Sequence, residues 1–177
     1  YTVSEKNTPK EIENQKTQMF KKSEGSIANI YHYEKYFDDF KRENLLPNKL
    51  SQLGSGVSWG DIDGDGDDDI YIGGASGFPG RIFTNNGSGS FVNKFQFVFN
   101  NDADYEDMGS IFIDPDNDGD LDLFVVSGGV ECREGDKILQ DRLYLNNGSG
   151  NFAKAASGLI PKINSSGSVV AAADINK

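Results

Sequence analysis

The sequence predicts an all-β protein, a β-propeller of four-stranded blades, on three observations. An acidic run, Asp61-Ile62-Asp63-Gly64-Asp65-Gly66-Asp67-Asp68-Asp69, returns as Asp114-Pro115-Asp116-Asn117-Asp118-Gly119-Asp120-Leu121-Asp122, both in the register D-x-D-x-D-G-x-x-D. Each run is followed by apolar, β-branched and aromatic residues, Ile70-Tyr71-Ile72 and Leu123-Phe124-Val125-Val126, which is strand composition rather than helix composition. Each then reaches a second strand pattern closed by the same turn, Asn85-Asn86-Gly87-Ser88-Gly89 and Asn146-Asn147-Gly148-Ser149-Gly150. A four-stranded unit repeating at roughly 50–60 residues is a propeller blade.

The elements follow in order. Residues 1 to about 24 are polar and rich in Lys and Glu, with Pro9, and periodicity assigns them no element. Ile27, Ile30, Tyr31, Tyr33, Tyr36, Phe37 and Phe40 then make an aromatic stretch whose first half, Ile30-Tyr31-His32-Tyr33, alternates like a strand. This lead-in, residues 1–50, is expected to pack on the repeats as a cap. The first blade, residues 51–102, has strands at Gly56–Gly60, Asp69–Gly74 and Arg81–Asn85, and a fourth from Phe91. The second, residues 103–163, repeats them at Gly109–Ile113, Asp122–Val126 and Arg142–Asn146, and from Phe152. A third repeat, residues 164–177, opens with the strand pattern Gly167–Ala173 and the acidic start Asp174-Ile175-Asn176. Asn-Gly is the strongest short hairpin signal, and predicts a type I′ turn with both central residues at positive φ. Asn86-Gly87-Ser88 and Asn147-Gly148-Ser149 also match glycosylation sequons; their place on a repeated turn assigns them to turn chemistry. A single blade cannot bury both faces, and a closed ring needs at least four. The chain is therefore expected to be a processed or partial piece of a longer protein.

The acidic runs carry the chemistry. Positions 1, 3, 5 and 9 are carboxylates in both: Asp61, Asp63, Asp65 and Asp69, then Asp114, Asp116, Asp118 and Asp122. Ca²⁺ takes 6–8 oxygen ligands, and this spacing can wrap them round one ion, with glycine at position 6 making the sharp turn. Position 7, Asp67 or Asp120, offers its backbone carbonyl. Asp174 and Asn176 are the matching positions of the third copy. An EF-hand is excluded, because it needs a bidentate Glu at position 12 and these copies have Ile72 and Val125 there. The site is therefore a calcium loop joining two strands.

The formal net charge is −11, a value the aspartates of the two loops match by themselves. So acidic a chain argues against nucleic acid and anionic membranes as partners. One cysteine, Cys132, allows no internal disulfide, and no apolar run is long enough to span a membrane as a helix.

The segment Gly60–Ala75, with its following Asn-Asn-Gly-x-Gly-x-Phe turn, resembles FG-GAP/VCBS-type repeats. Those repeats build seven-bladed propellers in integrin α-chains and many bacterial surface proteins. The lead-in Asp39-Phe40 with Leu45-Leu46-Pro47 through Leu53-Gly54 is similar to that of bacterial proteins like cartilage acidic protein. The name motif survives only in part, as Gly73-Gly74-Ala75 with Pro79, and repeat two instead has Gly128-Gly129-Val130-Glu131 leading into an insertion. The resemblance covers about residues 26–177. It implies Ca²⁺ on the aspartates named above and an extracellular or cell-surface setting, the bacterial outer membrane in particular. It also implies a non-enzymatic role: binding a protein or glycan, or serving in a larger membrane-associated complex, with the insertion at about 129–141 as a candidate contact.

The catalytic alternatives are thin. His32 is the only histidine, so any triad would rest on it, and nothing joins it to Cys132. Asp102, Asp104, Glu106 and Asp107 could supply a glycosidase-type pair, but read more simply as a solvated loop before a blade. A propeller-fold polysaccharide hydrolase or lyase is the competing function.

Overall fold

The structure is a computed structural model, and it describes residues 30–175. Its eight strands form two four-stranded antiparallel sheets. The first joins β1 (Val57–Gly60), β2 (Asp69–Ile72), β3 (Arg81–Asn85) and β4 (Phe91–Lys94) in chain order. The second joins β5 (Asp107–Ile113), β6 (Asp122–Ser127), β7 (Arg142–Asn146) and β8 (Phe152–Lys154) in the same way. The registers repeat: Ile72 opposes Arg81 as Val125 opposes Arg142, and Asn85 opposes Phe91 as Asn146 opposes Phe152. The strands thus fall where the repeat pattern put them.

The sheets stack face to face. Their core is Tyr71 and Ile82 from the first sheet, Leu123, Val125, Tyr144 and Phe152 from the second, and Ile62 from the first acidic loop. The connection from β4 to β5 contributes α2 (Phe97–Asn101), whose Phe99 completes this core. The Phe99 ring lies 5.0 Å from Tyr144 and 5.5 Å from Tyr71, in tilted or edge-on geometry favourable for ring quadrupoles. The sheets approach tightly where the chain enters β1. A Cβ on Gly56 would lie 2.6 Å from the backbone of Gly109 in β5, so only glycine fits there.

Residues 1–29 of the lead-in lie outside the described residues; its described part, residues 30–50, contacts the repeats. At the end of α1 (Asp39–Arg42), Arg42 donates to the carbonyls of Val130 and Cys132 in the second sheet's insertion. Tyr33 meets the Phe78 ring at 5.7 Å, and Arg81 lies over Tyr33. Buried Asp39 accepts from the hydroxyl and amide of Ser51, which clamps the segment to its own continuation. Ile27 lies outside the described residues.

Three local expectations are corrected. Ile30–Tyr33 is not a strand; Tyr31 and Tyr33 are half exposed and make ring contacts, Tyr33 with Phe78, in place of strand pairing. Gly167–Ala173 is not a strand either: Gly167 bridges to Gly128, and Ser168 to Val170 pass close to Gly109 of β5 without forming a ladder. The Asn-Gly turns are not type I′. Gly87 and Gly148 have positive φ, but Asn86 and Asn147 do not. Instead the Asn86 side chain accepts from the amides of Ser88 and Ser90, and Asn147 from those of Ser149 and Asn151. These side-chain caps hold five-residue loops, which is the turn chemistry expected of Asn.

Candidate metal centres

Both acidic loops lie at the same end of their sheets, between the first and second strands. The position-1 aspartate organises each from within. Asp61 accepts from the amides of Gly64, Asp65 and Gly66, at 2.8, 3.2 and 2.9 Å. Asp114 accepts from those of Asp118 and Gly119, at 3.2 and 3.1 Å. The position-6 glycines, Gly66 and Gly119, have φ of 93° and 95°, a region that L side chains enter only under strain. Position 4 needs the same hand, and is Gly64 in one loop and Asn117 (φ 60°) in the other, asparagine being tolerant there.

The result is convergence. Carboxylate oxygens of Asp61, Asp63 and Asp65 lie within 4.8 Å of one another, and so do those of Asp114, Asp116 and Asp118. The position-7 side chains turn elsewhere: a Cβ on Gly87 would meet Asp67 at 2.7 Å, and one on Gly148 would meet Asp120 at 2.6 Å. That leaves the main-chain carbonyl of Asp67 and Asp120 as the atom this position can give.

Position 9 is the buried floor. Asp69 accepts from the amides of Ile62 at 3.1 Å and Asn85 at 2.8 Å, so both of its oxygens already hold backbone. Asp122 is 1 % exposed; one oxygen accepts from the Asn146 amide at 2.7 Å and the other has no hydrogen-bond partner. Burial raises the pKa of both, and the loop carboxylates add to it: Asp63 and Asp65 for Asp69, and Asp116, Asp118 and Asp114 for Asp122. An unpartnered buried carboxylate oxygen is costly, and Asp63 carries another. A hard divalent cation would satisfy these oxygens and neutralise the converging acids, so the residues present fit the ion. Asp174 is exposed and belongs to neither converging group, and Asn176 lies outside the described residues.

Sequence reasoning missed a polar network at the opposite end of the sheets. Asp102 to Asp107 are not simply a solvated loop, and that reading is corrected. Asp107 is buried at the start of β5, where it accepts from the Tyr71 hydroxyl and the Gly74 amide of the first sheet, both at 2.7 Å, and pairs with Arg142. Burial opposes the charge on Arg142, but Asp107 together with Tyr144 and Tyr71 outweighs it and raises the pKa of the guanidinium. Its other donors reach Ser127 and Tyr144. The Tyr144 hydroxyl donates to Asp102, which also pairs with Lys154 at 2.7 Å. Glu106 is buried beside them and accepts from Ser76 at 2.8 Å. Burial, with Glu34, Glu131 and Asp107 adding like charge, pushes its pKa up to about 7. Only the return of Arg at the start of each third strand, Arg81 and Arg142, hinted at any of this.

His32 pairs with Glu34 at 2.9 Å, and burial pushes the Cys132 thiol up, away from a reactive thiolate. Among the described residues no helix is long and apolar enough to cross a membrane.

Two stacked antiparallel four-stranded units, each with an acidic loop of the same geometry between its first two strands, define a repeat protein of propeller-blade type. The family model described as FG-GAP-like repeat matches residues 61–125 and 114–177, each match opening at position 1 of an acidic loop. The chain belongs to the FG-GAP-like repeat family. No curated protein matches it.

Proposed function

We propose that this chain is a calcium-stabilised, non-enzymatic binding module, two blades and the opening of a third in a larger, seven-bladed ring. The observation that carries the calcium reading is the converging Asp114, Asp116 and Asp118 cluster, whose charge is felt by the buried Asp122 with its unpartnered oxygen. The ring is supported by the flank of the first sheet: strand alternation turns Val57 and Trp59 away from the second sheet, and Trp59 is 55 % exposed. A neighbouring blade would cover such a face. In this reading the metal ties the β1–β2 and β5–β6 connections and adds its binding free energy to folding. The opposite face of the blades is left to meet a protein or a glycan. The setting is extracellular or at the cell surface, the bacterial outer membrane by resemblance, with a larger membrane-associated complex as the context. Of the acids that a hydrolase or lyase would draw on, Asp102, Asp104, Glu106 and Asp107, the first and last are engaged in the network between the sheets, and Glu106 accepts from the Ser76 amide.

The test is a thermal melt in millimolar Ca²⁺ and in EDTA. At a hundredfold excess of free ion over Kd, one site adds about 2.7 kcal/mol, or about 5–10 °C for a domain of this size. Asp63→Ala and Asp116→Ala should each remove part of that gain. Identical melting temperatures with and without the ion, or for both variants and the parent in calcium, would overturn the reading.

A further inference from the structure

We infer that the end of the second blade opposite its acidic loop carries a binding pocket for a small sugar acid, a uronate-containing saccharide. This rests on the binding-module reading above and names its ligand. The pocket is a cavity of about 870 Å³ between the start of β7, the end of β8 and the segment that follows β8, within the range of small-molecule sites. Its far wall is fixed in place. Ala155 donates to Leu143 at 2.9 Å, Gln140 donates to the Pro161 carbonyl and accepts from the Ile163 amide, both at 3.0 Å, and Asn164 donates to Gly135 at 3.0 Å. Such pinning lowers the ordering cost of binding.

The charge of the pocket runs against that of the molecule. Lys137, Lys154, Lys162 and Arg142 line it, with Asp141 as its one acid, in a chain of net charge −11. Arg142 is committed to Asp107, Ser127 and Tyr144, and Lys154 to Asp102. Lys137 and Lys162 are exposed, and among the described residues neither makes an ion pair. An anion entering the pocket meets two available point charges. Between them the wall is mostly apolar, with Pro161 and the Tyr105 ring, which Arg142 and Lys154 hold at 4.2 and 5.2 Å from its centroid. The one guanidinium here is taken, so an anion meets lysine point charges rather than a bidentate fork. A carboxylate on a pyranose, whose C–H face can lie against a ring and a proline, matches single lysine charges set beside an apolar wall.

The experiment is calorimetric titration of the chain with a uronate disaccharide, the neutral disaccharide of the same linkage, and an acidic tripeptide. Free Ca²⁺ is held constant, since uronates chelate it. Binding of the uronate at least tenfold tighter than either comparator is expected, weakening as salt screens the lysines. The double variant Lys137→Gln, Lys162→Gln, at two exposed positions, should weaken uronate binding at least tenfold and leave the calcium-dependent melting shift unchanged. Equal binding of the neutral sugar, preference for the peptide, or an unaffected double variant would overturn the assignment. Loss of the calcium shift in the parent chain would instead overturn the reading on which it rests, so the two failures are separable.

Discussion

At position 2 of the first acidic loop Ile62 is 1 % exposed, in the core between the sheets; at position 2 of the second loop Pro115 is exposed. The Ile62 carbonyl accepts from the Asn146 side chain at 2.7 Å, so the last residue of β7 grips the neighbouring blade's loop. The turn after β7 adds to this: Gln96 donates to the Gly150 carbonyl at 2.8 Å, and Lys94 to that of Ser149. No described element covers the second loop in this way. The loops thus converge the same carboxylates while drawing on different support. The ligand geometry comes from within each loop, through Asp61 or Asp114 and the glycines. The anchoring comes from the next blade.

Three pairs of substitutions sharpen or break that contrast, each read as the shift in urea midpoint in saturating calcium. Ile62→Ala empties part of the core between the sheets and should cost about 2–5 kcal/mol. Pro115→Ala, at the equivalent position, should change stability by less than about 1 kcal/mol. Equal losses would mean that the loops are equally anchored. A smaller difference is expected at the end of the third strand. Asn146 donates to both Ile62 and Leu121, so Asn146→Ala should cost about 1–3 kcal/mol. Asn85 donates only to Asp68, at 3.3 Å in an exposed site, so Asn85→Ala should cost less than about 1 kcal/mol. A greater loss at Asn85 would show that the grip between blades contributes little. The smallest effect lies at position 4. Gly64→Ala places a Cβ at φ 77° and should cost about 1 kcal/mol, whereas Asn117→Gly, at φ 60°, should shift stability by only a few tenths of a kcal/mol. Indifference to Gly64→Ala would mean that the first loop relaxes its backbone despite its anchoring.

The Asp102–Asp107 segment shows where reading residues in order reaches its end. Asp107 and Asp104 are the same residue type three positions apart, yet one is buried against Arg142 and Tyr71 while the other is exposed. Nothing in the chain near either distinguishes them. Ile62 is similar: its apolar side chain inside an acidic loop is explained only by the blade that covers it.

The sequence alone determined the strands β1–β8, their order, the two acidic loops and the presence of a turn at each Asn-Gly, though not that turn's type. Each of these depends on local terms: period-two alternation, glycine at positive φ, and carboxylates spaced to converge within nine residues. Only the tertiary structure decided that Ile30–Tyr33 and Gly167–Ala173 stay unpaired, that Asp107 and Arg142 bury as a pair, and that Asn146 reaches the loop of the neighbouring blade. Those outcomes depend on which surface arrives from a distant part of the chain. A strand needs a partner's backbone, and a buried charge needs its counter-charge.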